Sequence, residues 1–152
     1  MSAREINARL NRRQFLQFSG FGLALTASGQ VMQVVAEDHS DTSTLSAYIT
    51  VGRDGVITIG APNPEVGQGV NTSLPMIIAE ELDAAWRDVQ VVSTPVDAAH
   101  YGAQFAGGSL SVPMRWNELR QVGATARAML LQAASAEMGV PTAELSTLDS
   151  RV

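Results

Sequence analysis

From residue 47 to residue 59 the apolar positions alternate with polar ones. Tyr48, Ile49 and Val51, then Val56, Ile57 and Ile59, are β-prone and predict two strands. Gly52-Arg53-Asp54-Gly55 lies between them, and Asp-Gly is a hairpin signal. Residues 61–70 are rich in Pro and Gly and predict a loop. The period then changes. Leu74, Ile77, Ile78, Leu82 and Ala85 recur at the spacing of one helix face, so a helix is expected over 73–85. Pro75 falls in its first turn, where a missing N–H does little harm. Glu80, Glu81 and Asp83 are expected on its solvated side. Residues 89–92 predict a short strand after an Arg87-Asp88 turn. Residues 97–111 predict a long loop containing Gly102, Gly107 and Gly108. A loop of that length inside a domain is usually functional or disordered.

A second helix is expected to open at Ser111 and Val112, with Pro113 in its first turn. Its predicted apolar face comprises Trp116, Leu119, Val122, Ala126, Met129, Leu130, Ala133 and Met138. Arg115, Glu118, Arg120, Arg127 and Glu137 are expected mostly off that face. Gly139 suits the position after the last turn, and Pro141 stops continuation. Residues 142–152 are expected to begin a further strand. The order is hairpin, glycine loop, helix, strand, glycine loop, helix. It predicts an α/β or α+β fold: a small mixed sheet with a hairpin and two covering helices. Such a sheet has open edges and normally continues in more chain.

Residues 1–36 read differently. Arg4, Arg9, Arg12 and Arg13 precede a stretch from Gln14 to Ala36 with no charge. Phe15, Leu16, Phe18, Phe21, Leu23 and Leu25 are diluted there by Gln17, Ser19, Thr26, Ser28, Gln30 and Gln33. That is too polar for a membrane helix, which needs ~20 mostly apolar residues. Arg12-Arg13-Gln14-Phe15-Leu16 looks like a twin-arginine export signal, with Val34-Val35-Ala36 as a cleavage point. The alternative is an amphipathic N-terminal helix. The export reading predicts a periplasmic protein folded around a cofactor. Residues 37–46, rich in Ser, Thr and Asp, are then a linker, and residues 47–152 are the domain.

The charge balance follows this division. The chain has 152 residues, no Cys and no Lys, and a net charge of -5. Its first 36 residues carry four Arg against Glu5, a balance of +3; the remainder carries six Arg against fourteen acids, a balance of -8. An acidic body without a basic stripe would repel nucleic acid. Without Cys there is no iron–sulfur ligation or thiolate chemistry in the chain itself. His39 and His100 are too far apart for local metal-ligand spacing.

The candidate chemistry lies in the two glycine loops. In Glu65-Val66-Gly67-Gln68-Gly69-Val70-Asn71-Thr72 the glycines permit a tight turn and close approach of a bound group. Asn71 or Thr72 is expected to cap the following helix, leaving first-turn N–H groups to face an anion. A plain glycine turn entering a helix is the alternative. Loop histidine His100 reads as solvated and Trp116 as core.

These segments, with Ala79-Glu80-Glu81-Leu82, Tyr101-Gly102-Ala103-Gln104, Gly107-Gly108-Ser109-Leu110-Ser111 and residues 119–127, resemble the molybdopterin-binding subunit of the xanthine dehydrogenase family. The likeness is to the branch that holds isoquinoline 1-oxidoreductase beta subunits and aldehyde dehydrogenase large subunits, and it spans residues 47–146. It implies a molybdenum–molybdopterin cofactor, in its cytosine dinucleotide form. The implied activity is hydroxylation of N-heteroaromatics or oxidation of aldehydes with oxygen from water. The implied partners are a small [2Fe-2S] subunit and a cytochrome c electron acceptor.

On this sequence the resemblance assigns cofactor contacts to Gly67, Gln68, Gly69, Thr72, Gly107, Gly108, Ser109 and Ser111. It assigns no catalytic residue and no metal ligand. The family's base glutamate, toward its C-terminus, has no counterpart, and Glu65, Glu80 and Glu81 do not match its position. The expectation is an N-terminal fragment whose C-terminal portion is missing. The alternative is a cofactor-free exported module, binding a partner by its sheet edge or by the second helix, or a remnant without function.

Overall fold

The computed structural model describes residues Gly22–Leu25, Val31–Val34 and 42–152. Strands β1 (Gly22–Leu25) and β2 (Val31–Val34) pair antiparallel, within the segment read as an export signal. The Arg12-Arg13 pair and the cleavage point at Val34-Val35-Ala36, apart from Val34 itself, lie outside the described residues. The main sheet runs in the order β3 (Thr42–Thr44), β4 (Ile49–Gly52), β5 (Ile57–Ala61), β6 (Val89–Ser93). β3 is built from part of the expected linker. Its threonines are β-branched and suit an exposed edge strand.

β3, β4 and β5 form an antiparallel meander, and β6 joins β5 in parallel. The β4–β5 hairpin turns at Gly52-Arg53-Asp54-Gly55, as the sequence predicts; the Val56 N–H donates to Asp54 Oδ1 (3.0 Å) and the Gly55 N–H to the Gly52 carbonyl (3.0 Å). Ile49 faces Ile59 and Val51 faces Ile57, and all four are buried. Parallel pairing requires a crossover between strands, which here is helix α1 (Val70–Leu82).

α1 begins earlier than 73 and stops before 85. Gly69 turns the chain into it at φ 80°, a left-handed value that glycine adopts without strain. At the far end Asp83 takes φ 58°, and the Ala84 N–H donates to the Ala79 carbonyl (2.9 Å). That closes the helix with a Schellman-type ending. The predicted core face of Leu74, Ile77, Ile78, Leu82 and Ala85 is buried throughout. The acidic side is not simply solvated. Glu81 pairs with Arg120, and Asp83 accepts from Thr147 Oγ1 at 2.6 Å.

After β6 come a single helical turn, α2 (Ala98–Tyr101), and the long helix α3 (Ser111–Met138). α3 runs over α1, and Gly123 sets how closely. A Cβ at that position would lie 2.5 Å from the Ile78 carbonyl oxygen. The apolar stripe of α3 differs at its first turn from expectation. Trp116 is 47% exposed, with Arg120 stacked 5.7 Å from its ring, whereas Arg115 is 5% exposed. Arg115 stands one turn before Leu119 on the same face. That first turn lies over the loops, where polar acceptors meet it. Gly139 ends α3 at φ 66°.

Residues 142–152 do not form a strand. They make a 3₁₀ turn (Thr142–Glu144), then double back through a Leu148–Arg151 bridge. Ser150 donates its N–H to the Asp83 carbonyl (2.8 Å) and accepts the Ala85 N–H on Oγ (2.7 Å). Their backbone groups thus cover the end of α1 instead of pairing with the sheet.

Candidate cofactor cleft

β5 and β6 are neighbours and point the same way, so the loops that leave their carboxyl ends emerge on one side of the sheet. In open α/β sheets that is where ligands bind. The first loop runs over residues 62–69 and the second over 94–110. They meet in a cleft of ≈ 380 Å³, lined by Val66, Gln68, Val70, Ser73, Ala106, Gly107, Ser109, Ser111 and Val112. That volume falls within the roughly 300–1,000 Å³ of small-ligand sites. Four of the eight candidate residues therefore line one cleft: Gln68, Gly107, Ser109 and Ser111. Gly67, Gly69 and Gly108 shape its rims through positive φ values of 95°, 80° and 59°. Thr72 faces solvent.

The first loop is held largely by its own side chains. Glu65 folds forward, and its carboxylate accepts the N–H groups of Gly67 (2.8 Å), Gly69 (3.0 Å) and Asn71 (3.0 Å). Neither Asn71 nor Thr72 caps α1. Gly69 sits at the N-cap with no side-chain cap, and a carboxylate six residues before Asn71 takes that residue's N–H. Bonds from Asn71, then Gly69 and Gly67, hold the Glu65 carboxyl below its ordinary range, although the group is exposed. Two of the N–H groups at the helix entrance, those of Gly69 and Asn71, are thus already occupied by an internal anion, and the Thr72 N–H donates to the Gly69 carbonyl (3.1 Å). Gln68 folds back similarly. Its Nε2 donates to the Pro64 carbonyl (2.8 Å), and its Oε1 accepts the Val66 N–H (2.6 Å). One donor and one acceptor site of the amide remain for a ligand.

The second loop is anchored from several elements. Asn63, 6% exposed, donates Nδ2 to the Phe105 carbonyl at 2.6 Å. Arg115 reaches Asn63 Oδ1 through Nε (3.1 Å), the Ala103 carbonyl through Nη2 (2.7 Å) and Glu118 Oε2 through Nη1 (2.7 Å). Gln104 donates Nε2 to the Pro62 carbonyl (2.9 Å), Thr94 Oγ1 (3.0 Å) and the Pro95 carbonyl (2.8 Å), and accepts the Asp97 N–H (2.7 Å). Tyr48 donates to Glu118 Oε1 (2.6 Å), and its ring meets Tyr101 edge-on, with centroids 5.2 Å apart. Burial, followed by the Glu118 carboxylate, pushes the Tyr48 hydroxyl well above its usual range. At the mouth, Ser109 holds φ 58° without being glycine, while the Leu110 N–H closes the turn on the Gly107 carbonyl (3.2 Å).

His100 is exposed, as expected, and bonds through Nδ1 to Asp97 Oδ2 (2.7 Å), which holds the Asp97 carboxyl low. Sequence reasoning missed Asn63, Arg115 and Glu118. Their signal was the i, i+4 spacing of Arg115 to Leu119, which places the arginine on the buried stripe. Among the described residues, no charged side chain lines the cleft, and no group of three or more His, Cys, Asp or Glu is placed to hold a metal. No helix there is long and apolar enough to cross a membrane.

Two backbone-rich loops closing on a neutral cleft, at the carboxyl ends of adjacent parallel strands, define an α/β domain built to hold a small ligand or cofactor. The sequence matches the molybdopterin cofactor-binding domain over residues 2–152, and the chain belongs to that family. It is 34% identical over 150 residues to the beta subunit of isoquinoline 1-oxidoreductase from Brevundimonas diminuta, covering 91% of this chain and 19% of that protein. It is 32% identical over 145 residues to the membrane-bound aldehyde dehydrogenase [pyrroloquinoline-quinone] of Gluconacetobacter polyoxogenes, covering 90% and 18%. It is 35% identical over 109 residues to a nicotinate dehydrogenase subunit of Pseudomonas putida, covering 71% and 9%. The chain thus spans about a fifth, or less, of the length of these relatives. They agree with the family expected from the loop motifs.

Proposed function

We propose that this chain works as part of the large subunit of a molybdenum hydroxylase, and that its two-loop cleft holds the uncharged ring portion of a molybdopterin cofactor. The observation that carries this is the cleft itself. Gln68 from one loop, with Ser109 and Ser111 at the end of the other, present an amide and two hydroxyls around small and apolar residues. The fit is to a neutral, hydrogen-bonding heterocycle. Gly107 makes room for the Phe105 ring, which a Cβ there would meet at 2.5 Å, and Gln68 adds no charge beside an anionic group. A phosphate finds no cation here, and the Gly69 and Asn71 N–H groups at the α1 entrance are taken by Glu65. The phosphates of the cytosine dinucleotide form would therefore be held by other parts of the subunit.

Bound cofactor supplies two-electron oxidation with oxygen from water. The residues of this chain bind it, orient it and exclude water. The relatives' names support an N-heteroaromatic or aldehyde as substrate, and two of them name a subunit, which supports a multi-subunit assembly. The family resemblance of the loop motifs adds a [2Fe-2S] subunit and a cytochrome c acceptor to that proposal. The arginine pair at residues 12–13 supports export to the periplasm by the twin-arginine route.

Metal analysis and pterin fluorescence of the purified protein test the reading. Molybdenum and pterin retained together, and both reduced in Gln68→Ala, are expected. Their absence from protein made in a cofactor-producing host, with or without the remaining portion of a family large subunit, overturns it.

A further inference from the structure

We propose that Arg115 is the positioning residue of the cleft, a buried cation that fastens both loops in one place from inside α3. Each guanidinium arm serves a different element. Nε holds Asn63, at the start of the first loop; Nη2 holds the Ala103 carbonyl, in the second; Nη1 holds Glu118, on α3 itself. Asn63 extends the clamp by donating to the Phe105 carbonyl. One arginine and one asparagine therefore tie residues 63, 103 and 105 together, and residues 106, 107, 109 and 111 of the cleft wall follow directly in the chain.

The rigid fork is what permits three acceptors at once, which the single ammonium of lysine does not match. Arg115 is 5% exposed, and its charge is met by Glu118, which Tyr48 orients from the bend before β4. Gly102 passes 3.5 Å from Nη1, measured from where its Cβ would stand. Arg115 does not line the cleft, so it acts through the loops it holds. What the clamp does for a cofactor rests on the reading above; that it fixes the loops does not.

The test uses the full chain without cofactor. Phe105 is half exposed on the second loop, so chymotryptic cleavage after it reports local opening of that loop. Arg115→Met, Arg115→Lys and Asn63→Ala are compared with Ile78→Val, which weakens the α1–α3 core away from the clamp. The clamp variants should cut at Phe105 about tenfold faster or more, while amide exchange of Ile78 and Leu119 changes far less. Asn63→Ala should also speed exchange of the Arg115 Nε–H in NMR spectra. Arg115→Met with Asn63→Ala should add little to Arg115→Met alone.

Cleavage at Phe105 that rises only in step with core exchange, as in Ile78→Val, would show that Arg115 merely supports the fold. Full rescue by lysine, or additive effects of Arg115→Met and Asn63→Ala, would equally refute the clamp. Should Arg115→Met fail to fold, Asn63→Ala and Arg115→Lys still decide between these outcomes. Cofactor content plays no part in the readout, so a failed cofactor assignment leaves the result interpretable.

Discussion

The two loops of the cleft are built on opposite plans. The 62–69 loop is tied chiefly to itself: Glu65 and Gln68 bond backbone groups within six residues of their own positions. The 94–110 loop is tied outward. Its anchors are Arg115 on α3, Asn63 in the other loop, and the Pro62 carbonyl that Gln104 reaches across 42 residues. A self-tied loop needs only its local sequence to find its shape. An outward-tied loop needs the helix and the neighbouring strand in place first, because its bonding partners arrive with them. The first should keep its form when the domain loosens, and the second should not.

The largest expected effect that sharpens this contrast is on the second loop. Gln104→Ala removes the side-chain amide that donates to Pro62, Thr94 and Pro95 and accepts from Asp97. It should cost about 2 kcal/mol, from several modest bonds and the Pro62 carbonyl left without its partner on a buried residue. Thermal unfolding measures the loss, and amide shifts should move in 94–110 but not at Gly67 or Gly69. Equal shifts in both loops would break the distinction. Next comes Gly69→Ala. Its Cβ would meet nothing within 4 Å, so the cost is conformational alone, about 1–2 kcal/mol for a left-handed φ. Changes should stay within 62–72. A cost near zero would mean that the loop takes another shape freely.

The smallest effect is that of acid. The Glu65 carboxyl is held below its ordinary value of 4.5 by the N–H bonds it accepts. Because the folded value is depressed, its contribution is complete above pH 4.5 and is lost as pH falls through that lower value. The amide resonances of Gly67, Gly69 and Asn71 should move together with one midpoint below 4.5, and Glu65→Gln should abolish that transition. A midpoint at or above 4.5 would remove Glu65 from its place in the loop.

How far the sequence could be read follows the same division. The hairpin, the core face of α1 and the end of α3 at Gly139 were legible, because each depends on short-range spacing and turn chemistry. The entry to α1 was misjudged by three residues. A capping Asn or Thr is a local preference, and here the chain met a carboxylate folding forward from Glu65. Trp116 and Arg115 exchanged expected places, since hydropathy cannot say that the first turn of α3 lies over polar loop carbonyls. Part of the polar stretch read as linker became β3, where an open sheet edge offered it backbone partners.

By itself the sequence determined the β4–β5 hairpin, the two main helices, β6 and the two glycine loops, and, through several short motifs in order, the family. Those are properties of neighbouring residues. Only the tertiary structure decided that the loops share a cleft. That depends on β6 pairing parallel to β5, which brings two carboxyl ends to one side, and on a buried guanidinium finding acceptors from both loops. Neither can be read along the chain, because each bond joins residues that only folding brings within reach.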